Sequence, residues 1–140
     1  MNKLFTGSIH SQTYSKFRPA YPPAVTEKII DFHRQGQGQF ERALDVCCGT
    51  GQGAVAIAPH FRHVTGLDGS PTQIENADRS LSNIDYRVGP GEDLSFQGDN
   101  TVDLVTIAQA VHWLDRDKFY AEVERVLRPG GSLVVYGYKT

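Results

Sequence analysis

The alternation of apolar and polar residues along this chain predicts strands and helices in a repeating order. Short apolar runs bounded by turn residues predict five strands, at residues 43–47, 63–67, 86–88, 102–108 and 133–136. Apolar positions at helical spacing predict four helices, at residues 23–35, 52–60, 71–80 and 116–127. Because strands and helices alternate, we expect an α/β fold, with a three-layer, doubly wound and mainly parallel sheet.

The first 22 residues follow neither pattern. Tyr14 and Arg18 lie in a segment of mixed aromatic and polar residues, and the prolines in and after this segment limit regular helix there. We therefore predict one domain, residues 1–140, in which residues 1–22 form an arm laid over another part of the molecule. Residues 42–138 form the predicted core.

Composition narrows the class of partner. Of the 140 residues, 39% are hydrophobic and 21% are charged, which suits a single domain with one core. Lys and Arg number 14 against 16 Asp and Glu without clustering, so the basic surface of a nucleic-acid-binding protein is not expected. The apolar runs, including Leu133 to Tyr136, are all too short to cross a membrane. We expect a cytoplasmic protein that binds small molecules, with no nucleic acid or membrane as partner.

The only two cysteines, Cys47 and Cys48, are adjacent. Adjacent residues form a disulfide only with strain, and their thiols converge poorly on one metal ion. We expect reduced thiols that serve as small side chains, and we predict no metal site.

Two strand ends carry the most specific chemistry. Asp45 and the loop Gly49-Thr50-Gly51 follow the first predicted strand, and Asp68 follows the second. Parallel strands end at the same edge of a sheet, so a ligand can approach the glycine backbone while Asp68 accepts hydrogen bonds from two ribose hydroxyls. The alternative is structural, with glycines that only permit a tight turn and an Asp68 that caps the next helix. The distance in sequence from Asp45 to Asp68, with a strand-loop-helix unit between them, favours nucleoside binding.

The loop also satisfies the loose dinucleotide-binding pattern G-x-G-x-x-A, from Gly49 to Ala54. An NAD-binding protein is therefore an alternative interpretation. Asp45 lies just before the loop, where its charge would repel a pyrophosphate but would attract an ammonium group. The chain also contains no Tyr-x-x-x-Lys pair for proton transfer during carbonyl reduction. NAD binding is therefore the weaker alternative.

At this point the chain resembles a known family. Leu44 to Gly51 resembles the first motif, D-x-G-x-G-x-G, of class I S-adenosylmethionine (SAM) dependent methyltransferases, which have a Rossmann-like fold. Gly66 to Ser70 resembles their second motif, and Arg128 to Gly131 resembles the turn before their fifth strand. Residues 14–22 and 109–114 are similar to the subgroup that includes trans-aconitate methyltransferase. The resemblance implies SAM as cofactor.

The resemblance also implies residue roles. Asp45 and Gly49 would line the methionine end of the cofactor, Asp68 its ribose and Gln109 the region near the sulfonium, with the N-terminal arm covering the site. The residues expected to bind the cofactor are Tyr14, Arg18, Asp45, Cys47, Gly49, Thr50, Gly51, Asp68, Gly69, Glu92, Asp93 and Gln109.

The chain departs from the family motifs at two positions. Cys47 replaces the first glycine of the loop motif. Its side chain could keep a ligand from approaching the backbone as closely as a glycine would allow. Pro90 stands where many relatives carry an Asp that contacts the adenine amino group, and proline has no N–H to offer. Glu92 or Asp93 could replace that Asp, or both could be solvated loop carboxylates.

His112 is the candidate catalytic residue. It follows the fourth predicted strand, where an acceptor is expected, and could act as a general base or bind the substrate. The alternative is a histidine packed beside Trp113, whose indole is expected to serve in packing. Arg18 could bind a carboxylate of the cofactor or substrate, or it could be solvated.

The predicted fifth strand raises the question of what lies beside it. In the family the sheet continues with further strands, so the resemblance implies a chain truncated after this strand, lacking the C-terminal antiparallel strands. Residues 133–136 would then form an apolar, uncharged edge, and we expect a homo-oligomer through this edge or exchange of a terminal element. Two functions follow: a methyltransferase for a small-molecule acceptor, with carboxylic acids as one class, or a truncated SAM-binding module without activity.

Overall fold

The computed structural model describes residues 3–10, 23–108 and 114–139. Its helices are α1 (Pro23–Gln35), α2 (Gln52–Ile57, continued by a 3-10 turn at Ala58–His60), α3 (Pro71–Glu75) and α4 (Arg116–Val126). Its strands are β1 (Lys3–His10), β2 (Arg42–Val46), β3 (His63–Asp68), β4 (Ile84–Val88), β5 (Val102–Ala108) and β6 (Leu127–Lys139).

The strands form one six-stranded sheet in the order β1-β6-β5-β2-β3-β4, and every pair is parallel. The strand order reverses between β2 and β5, which is where doubly wound sheets bind ligands at the carboxyl ends of their strands. This arrangement confirms the predicted α/β, Rossmann-like class.

Helices cover both faces of the sheet. On one face, α1 and α2 contribute Ile29 and Ile57 to a core that includes Val64 of β3. On the other face, α4 contributes Phe119, which is fully buried against the second core cluster. The central strands are therefore apolar on both sides, as expected for a parallel sheet. Among the described residues, no helix is both long and apolar enough to span a bilayer.

The segment after α3 differs from the prediction of a helix up to residue 80. The helix ends at Glu75, and the Arg79 guanidinium donates to the Ile74 carbonyl at 2.9 Å. The Asp78 carboxylate accepts from the Ser80 N–H at 2.9 Å, which forms a local turn. Side-chain hydrogen bonds to the backbone thus replace the last helical turn.

The N-terminal segment also differs from the prediction. Residues Lys3–His10, expected to belong to an arm without regular structure, form β1 and pair with β6 from Ser132 to Lys139. The expectation of an unpaired edge at residues 133–136 is therefore wrong, because β1 of the same chain covers it. A homo-oligomer stays a prediction, but an unpaired edge at residues 133–136 is no longer an argument for it. Residues 11–22 of the predicted arm lie outside the described residues.

Strand β6 is longer than the predicted 133–136. It begins at Leu127, which pairs with Val102, and its register to β5 shifts before Ser132 pairs with Leu104. Gly130 lies in this irregular stretch with a φ of +86°. The Arg-Pro-Gly-Gly segment predicted as a turn is thus a bulged entry into the strand.

Candidate functional site

Asp68 joins two loops at the carboxyl ends of β2 and β3. Its Oδ2 accepts from the Gly49 N–H at 2.8 Å, and its Oδ1 accepts from the Ser70 N–H at 2.9 Å. The Ser70 side chain in turn caps α3 by accepting from the Gln73 N–H. Asp68 therefore fixes the loop after β2, residues 47–51 and hereafter the glycine loop, against the start of α3.

Three residues of the glycine loop have left-handed backbone conformations. Their φ angles are +58° at Cys47, +58° at Gly49 and +99° at Gly51. This spacing explains why the motif places glycine at every second position. Cys47 stands in place of a glycine and adopts the same left-handed conformation, which costs about 1 kcal/mol for a residue with a side chain. The loop therefore keeps its path, and Cys47 is strained. β2 accordingly ends at Val46, one residue before the predicted end.

Gly49 has an open side. Of the described residues, only Gln73 would come near a Cβ placed on Gly49, with its Nε2 at 4.0 Å. Within the described part of the chain, no side chain therefore blocks the approach of a ligand to the loop backbone at Gly49. The neighbouring Thr50 is half-buried, and its carbonyl accepts from the Asp78 N–H at 2.9 Å.

Asp45 lies beneath the glycine loop and is 3% exposed. Its carboxylate accepts from the Thr106 hydroxyl at 2.8 Å and from the backbone N–H of Ala54, at the start of α2. Burial raises the pKa of Asp45 to about 7, the two hydrogen bonds lower it, and the charge of Asp68 raises it. The described groups that act on this carboxyl, Thr106, the Ala54 N–H and Asp68, are neutral or negative.

In the described part of the chain, the charges that act on the thiols of Cys47 and Cys48 in the glycine loop are negative. Burial, together with the charges of the Asp68, Asp45 and Glu92 carboxylates, raises the pKa of the Cys47 thiol to about 11. Burial also raises the pKa of Cys48. Both thiols are protonated at neutral pH, so they are poor nucleophiles, and the carboxylates favour a cationic ligand.

A model of the family described as the methyltransferase domain matches residues 44–135, which include the glycine loop, Asp68 and β5. The chain belongs to the class I SAM-dependent methyltransferases. A Dictyostelium discoideum protein named as a methyltransferase is 39% identical over 132 residues, covering 94% of this chain and 48% of its own length.

Two further relatives agree. The "probable S-adenosylmethionine-dependent methyltransferase CRG1" of Saccharomyces cerevisiae is 31% identical over 99% of this chain and 47% of its own length. A solved structure from Anaeromyxobacter dehalogenans, described as a type II methyltransferase, is 38% identical with a TM-score of 0.70, over 82% of this chain and 46% of its own. The chain thus spans about half the length of the curated relatives it matches.

On the side of this methyltransferase domain where adenine is expected, the loop after β4 carries its own contacts. The Gly89 N–H donates to the Asp68 carbonyl at 2.9 Å, and Pro90 is exposed. Glu92 accepts from the Asp115 N–H at 3.0 Å, and Asp93 accepts from the Ser95 N–H at 2.9 Å. Both carboxylates are therefore engaged in loop structure.

Hydrogen bonds with Ser95 lower the pKa of Asp93, which is exposed. Gly69 is also exposed, directly after Asp68. The structure therefore brings seven of the predicted residues together at the carboxyl ends of the strands: Asp45, Cys47, Gly49, Thr50, Gly51, Asp68 and Gly69. Four predicted residues of the methyltransferase site lie outside the described residues, as does Trp113, and their roles stay predictions: Tyr14, Arg18, Gln109 and His112.

Two residues of this site were not predicted from the sequence. Thr106 hydrogen-bonds Asp45, and its signal was a polar residue within the otherwise apolar stretch from Leu104 to Ala108. Tyr86, assigned only to a short strand, lies against the glycine loop, where a Cβ on Gly51 would be 2.2 Å from its hydroxyl. No local pattern connects these residues to the loop.

Proposed function

We propose that this domain binds SAM at the carboxyl ends of β2, β3 and β5, and that the protein containing it transfers the methyl group to a small-molecule acceptor. The observation that carries the proposal is the position of Asp68 beside the open face of Gly49. Each carboxylate oxygen accepts one backbone N–H and keeps capacity for a second hydrogen bond. Two vicinal ribose hydroxyls suit this remaining capacity.

The charge of the site supports SAM rather than NAD. Asp45, Asp68 and Glu92 all act on the thiol of Cys47. Their field would stabilise the ammonium and sulfonium groups of SAM and would repel a pyrophosphate. A nearby cation would favour the ionised form of Asp45, which its burial and the charge of Asp68 both oppose.

The proposed chemistry requires little from the protein beyond position. SAM supplies a methyl group on a sulfonium that is already a good leaving group. The residues of this chain would hold the cofactor and align an acceptor behind the methyl carbon, which lowers the entropic part of the barrier. The family resemblance implies that Gln109 lies near the sulfonium and that His112 lies where the acceptor binds. It also implies that Tyr14 and Arg18 lie over the bound cofactor.

A carboxylic acid is the acceptor class we favour, on the resemblance of residues 14–22 and 109–114 to the trans-aconitate methyltransferase subgroup. A second function is a SAM-binding module without catalytic activity.

Calorimetric titration with SAM, S-adenosylhomocysteine (SAH) and NAD tests the cofactor, and a methyl-transfer assay on small carboxylic acids tests the reaction. We expect SAM and SAH to bind and NAD not to compete. Binding with turnover supports the methyltransferase, and binding without turnover on any acceptor favours the module. Absence of SAM and SAH binding, or displacement of SAM by micromolar NAD, would reject the proposed cofactor.

A further inference from the structure

The side chain of Tyr86 crosses from the edge of the sheet to the glycine loop. Tyr86 lies on β4, paired in register with Gly66 of β3. A Cβ on Gly66 would be 2.8 Å from the Tyr86 ring and 3.0 Å from the Cys48 thiol, so the absent side chain makes room for the ring. The ring then extends to Gly51, where a Cβ would be 2.2 Å from the Tyr86 hydroxyl. Two glycines therefore accommodate one tyrosine.

The Tyr86 hydroxyl closes a chain of hydrogen bonds around the loop. It donates to the Asp78 carbonyl at 2.7 Å, and the Asp78 N–H donates to the Thr50 carbonyl at 2.9 Å. The segment after α3 is thereby attached on one side to the glycine loop and on the other to the sheet. Burial raises the pKa of Tyr86 to about 12, so the hydroxyl remains a donor at neutral pH.

Arg79 covers the other part of the ring. Its guanidinium carbon is 5.3 Å from the ring centroid, and the same group donates to the Ile74 carbonyl at the end of α3. The ring is therefore held between the glycine loop and the segment after α3. By contrast, among the residues that the structure describes, only Gln73 comes within 4.0 Å of the Cβ position at Gly49.

We propose that Tyr86 is a positioning residue for the cofactor: it holds the glycine loop in its binding conformation through Gly51 and the hydrogen bonds from its hydroxyl to Asp78 and from Asp78 to Thr50. This inference rests on the proposed binding of SAM by that loop. Tyr86 acts through the loop backbone, because a loop already in the bound conformation loses less conformational entropy when the ligand binds.

The test compares Tyr86→Phe, which keeps the ring and removes the hydroxyl, with Asn83→Ala as a matched control. Asn83 precedes β4 and donates to the carbonyls of Ala58 and Phe61 at 2.9 and 3.0 Å, away from the glycine loop. Both variants lose side-chain hydrogen bonds and should melt at lower temperature than the wild type. Only Tyr86→Phe should bind SAH more weakly, by about five- to tenfold in calorimetry well below its melting temperature.

Amide hydrogen exchange without ligand gives an independent readout. The Gly51 N–H donates to the Cys48 carbonyl at 3.0 Å, so its exchange reports the closed loop. We expect faster exchange at Gly51 in Tyr86→Phe and unchanged exchange in Asn83→Ala. Equal SAH affinity and equal Gly51 exchange in Tyr86→Phe and wild type would overturn the proposal. A wild type that does not bind SAH would instead overturn the proposed function, and the exchange comparison would still decide whether Tyr86 holds the loop.

Discussion

Thr106 and Asp45 lie opposite each other on the neighbouring parallel strands β5 and β2, and the Thr106 hydroxyl donates a 2.8 Å hydrogen bond to the Asp45 carboxylate. The same register row continues to Gly66 and Tyr86. One row of the sheet therefore supplies the acid beneath the glycine loop, its hydroxyl donor, and the tyrosine that contacts the loop. Burial and hydrogen bonding oppose each other at Asp45, and burial is the larger effect on its pKa.

The affinity for SAH should rise with pH across neutrality. Burial raises the pKa of Asp45 to about 7, so its carboxyl is partly protonated at neutral pH and attracts the ligand ammonium only when ionised. We expect calorimetric affinity to increase as the pH is raised from about 5.5 to about 7.5. Asp45→Asn should bind weakly and lose most of this dependence. A flat profile in the wild type would contradict a role for the Asp45 charge.

The same pKa predicts an opposite trend in stability without ligand. The pKa of Asp45 is raised above its ordinary value of 3.8, so the folded state retains this proton more tightly than the unfolded chain does. The contribution of Asp45 to the free energy of unfolding is therefore greatest below about pH 4 and falls as the pH rises towards 7. Chemical denaturation of the wild type and Asp45→Asn isolates the effect, because only the wild type should show it.

Thr106→Val should shift the pH profile of binding. The substitution keeps the shape of the side chain but removes the donor that stabilises the ionised Asp45. The pKa of Asp45 should rise, so the midpoint of SAH binding should move to higher pH by about one unit. Thr106→Ser retains the hydroxyl and should keep the wild-type midpoint. Equal midpoints for the Val and Ser variants would contradict the prediction.

Asp68→Ala should weaken SAM binding by about 1.5–3 kcal/mol, because a charge-assisted contact to the ribose is lost. The Gly49 and Ser70 N–H groups also lose their acceptor, so the melting temperature should fall. Asp85→Ala removes an exposed carboxylate from the adjacent strand β4 and serves as the control. Unchanged SAM affinity in Asp68→Ala, measured by calorimetry, would remove Asp68 from the proposed site.

Cys47→Val should destabilise the domain, and Cys47→Gly should not. The φ of +58° at Cys47 is a conformation that β-branched residues rarely adopt, so valine should lower the free energy of unfolding by about 1–2 kcal/mol. Glycine removes the strain but increases the entropy of the unfolded chain, and the two effects nearly cancel. Urea denaturation measures both variants. Equal stability of Val and Gly variants would mean that the loop relaxes at this position.

Uncovering the edge of β6 should promote self-association. Thr6 of β1 pairs with Val135 of β6, and proline at position 6 removes a backbone donor from the strand. We expect Thr6→Pro to form larger species than the wild type in light scattering, because the apolar β6 edge becomes available to another chain. Thr6→Ala keeps the N–H and is the control. Identical scattering of all three proteins would contradict the prediction that β1 protects this edge.

The sequence by itself determined the repeating unit of strand and helix, and its motifs predict the ligand. Apolar runs located β2, β3 and β5 to within about one residue, since a strand buried on both faces is continuously apolar. The glycine spacing and Asp68 were informative because both follow parallel strands, which end at the same side of a sheet, and the structure brings the Asp68 carboxylate to the Gly49 N–H although the two residues are 19 positions apart.

Only the tertiary structure decided which distant residues support the loop and what covers the sheet edge. Tyr86 contacts Gly51, and Thr106 bonds Asp45, through strand register, which one-dimensional patterns do not specify because several registers suit equally apolar strands. The pairing of β1 with β6 likewise joins segments more than 100 residues apart. The partner of β1 is the edge that remains free after the central strands have paired. That edge is a property of the assembled sheet, and neither segment specifies it alone.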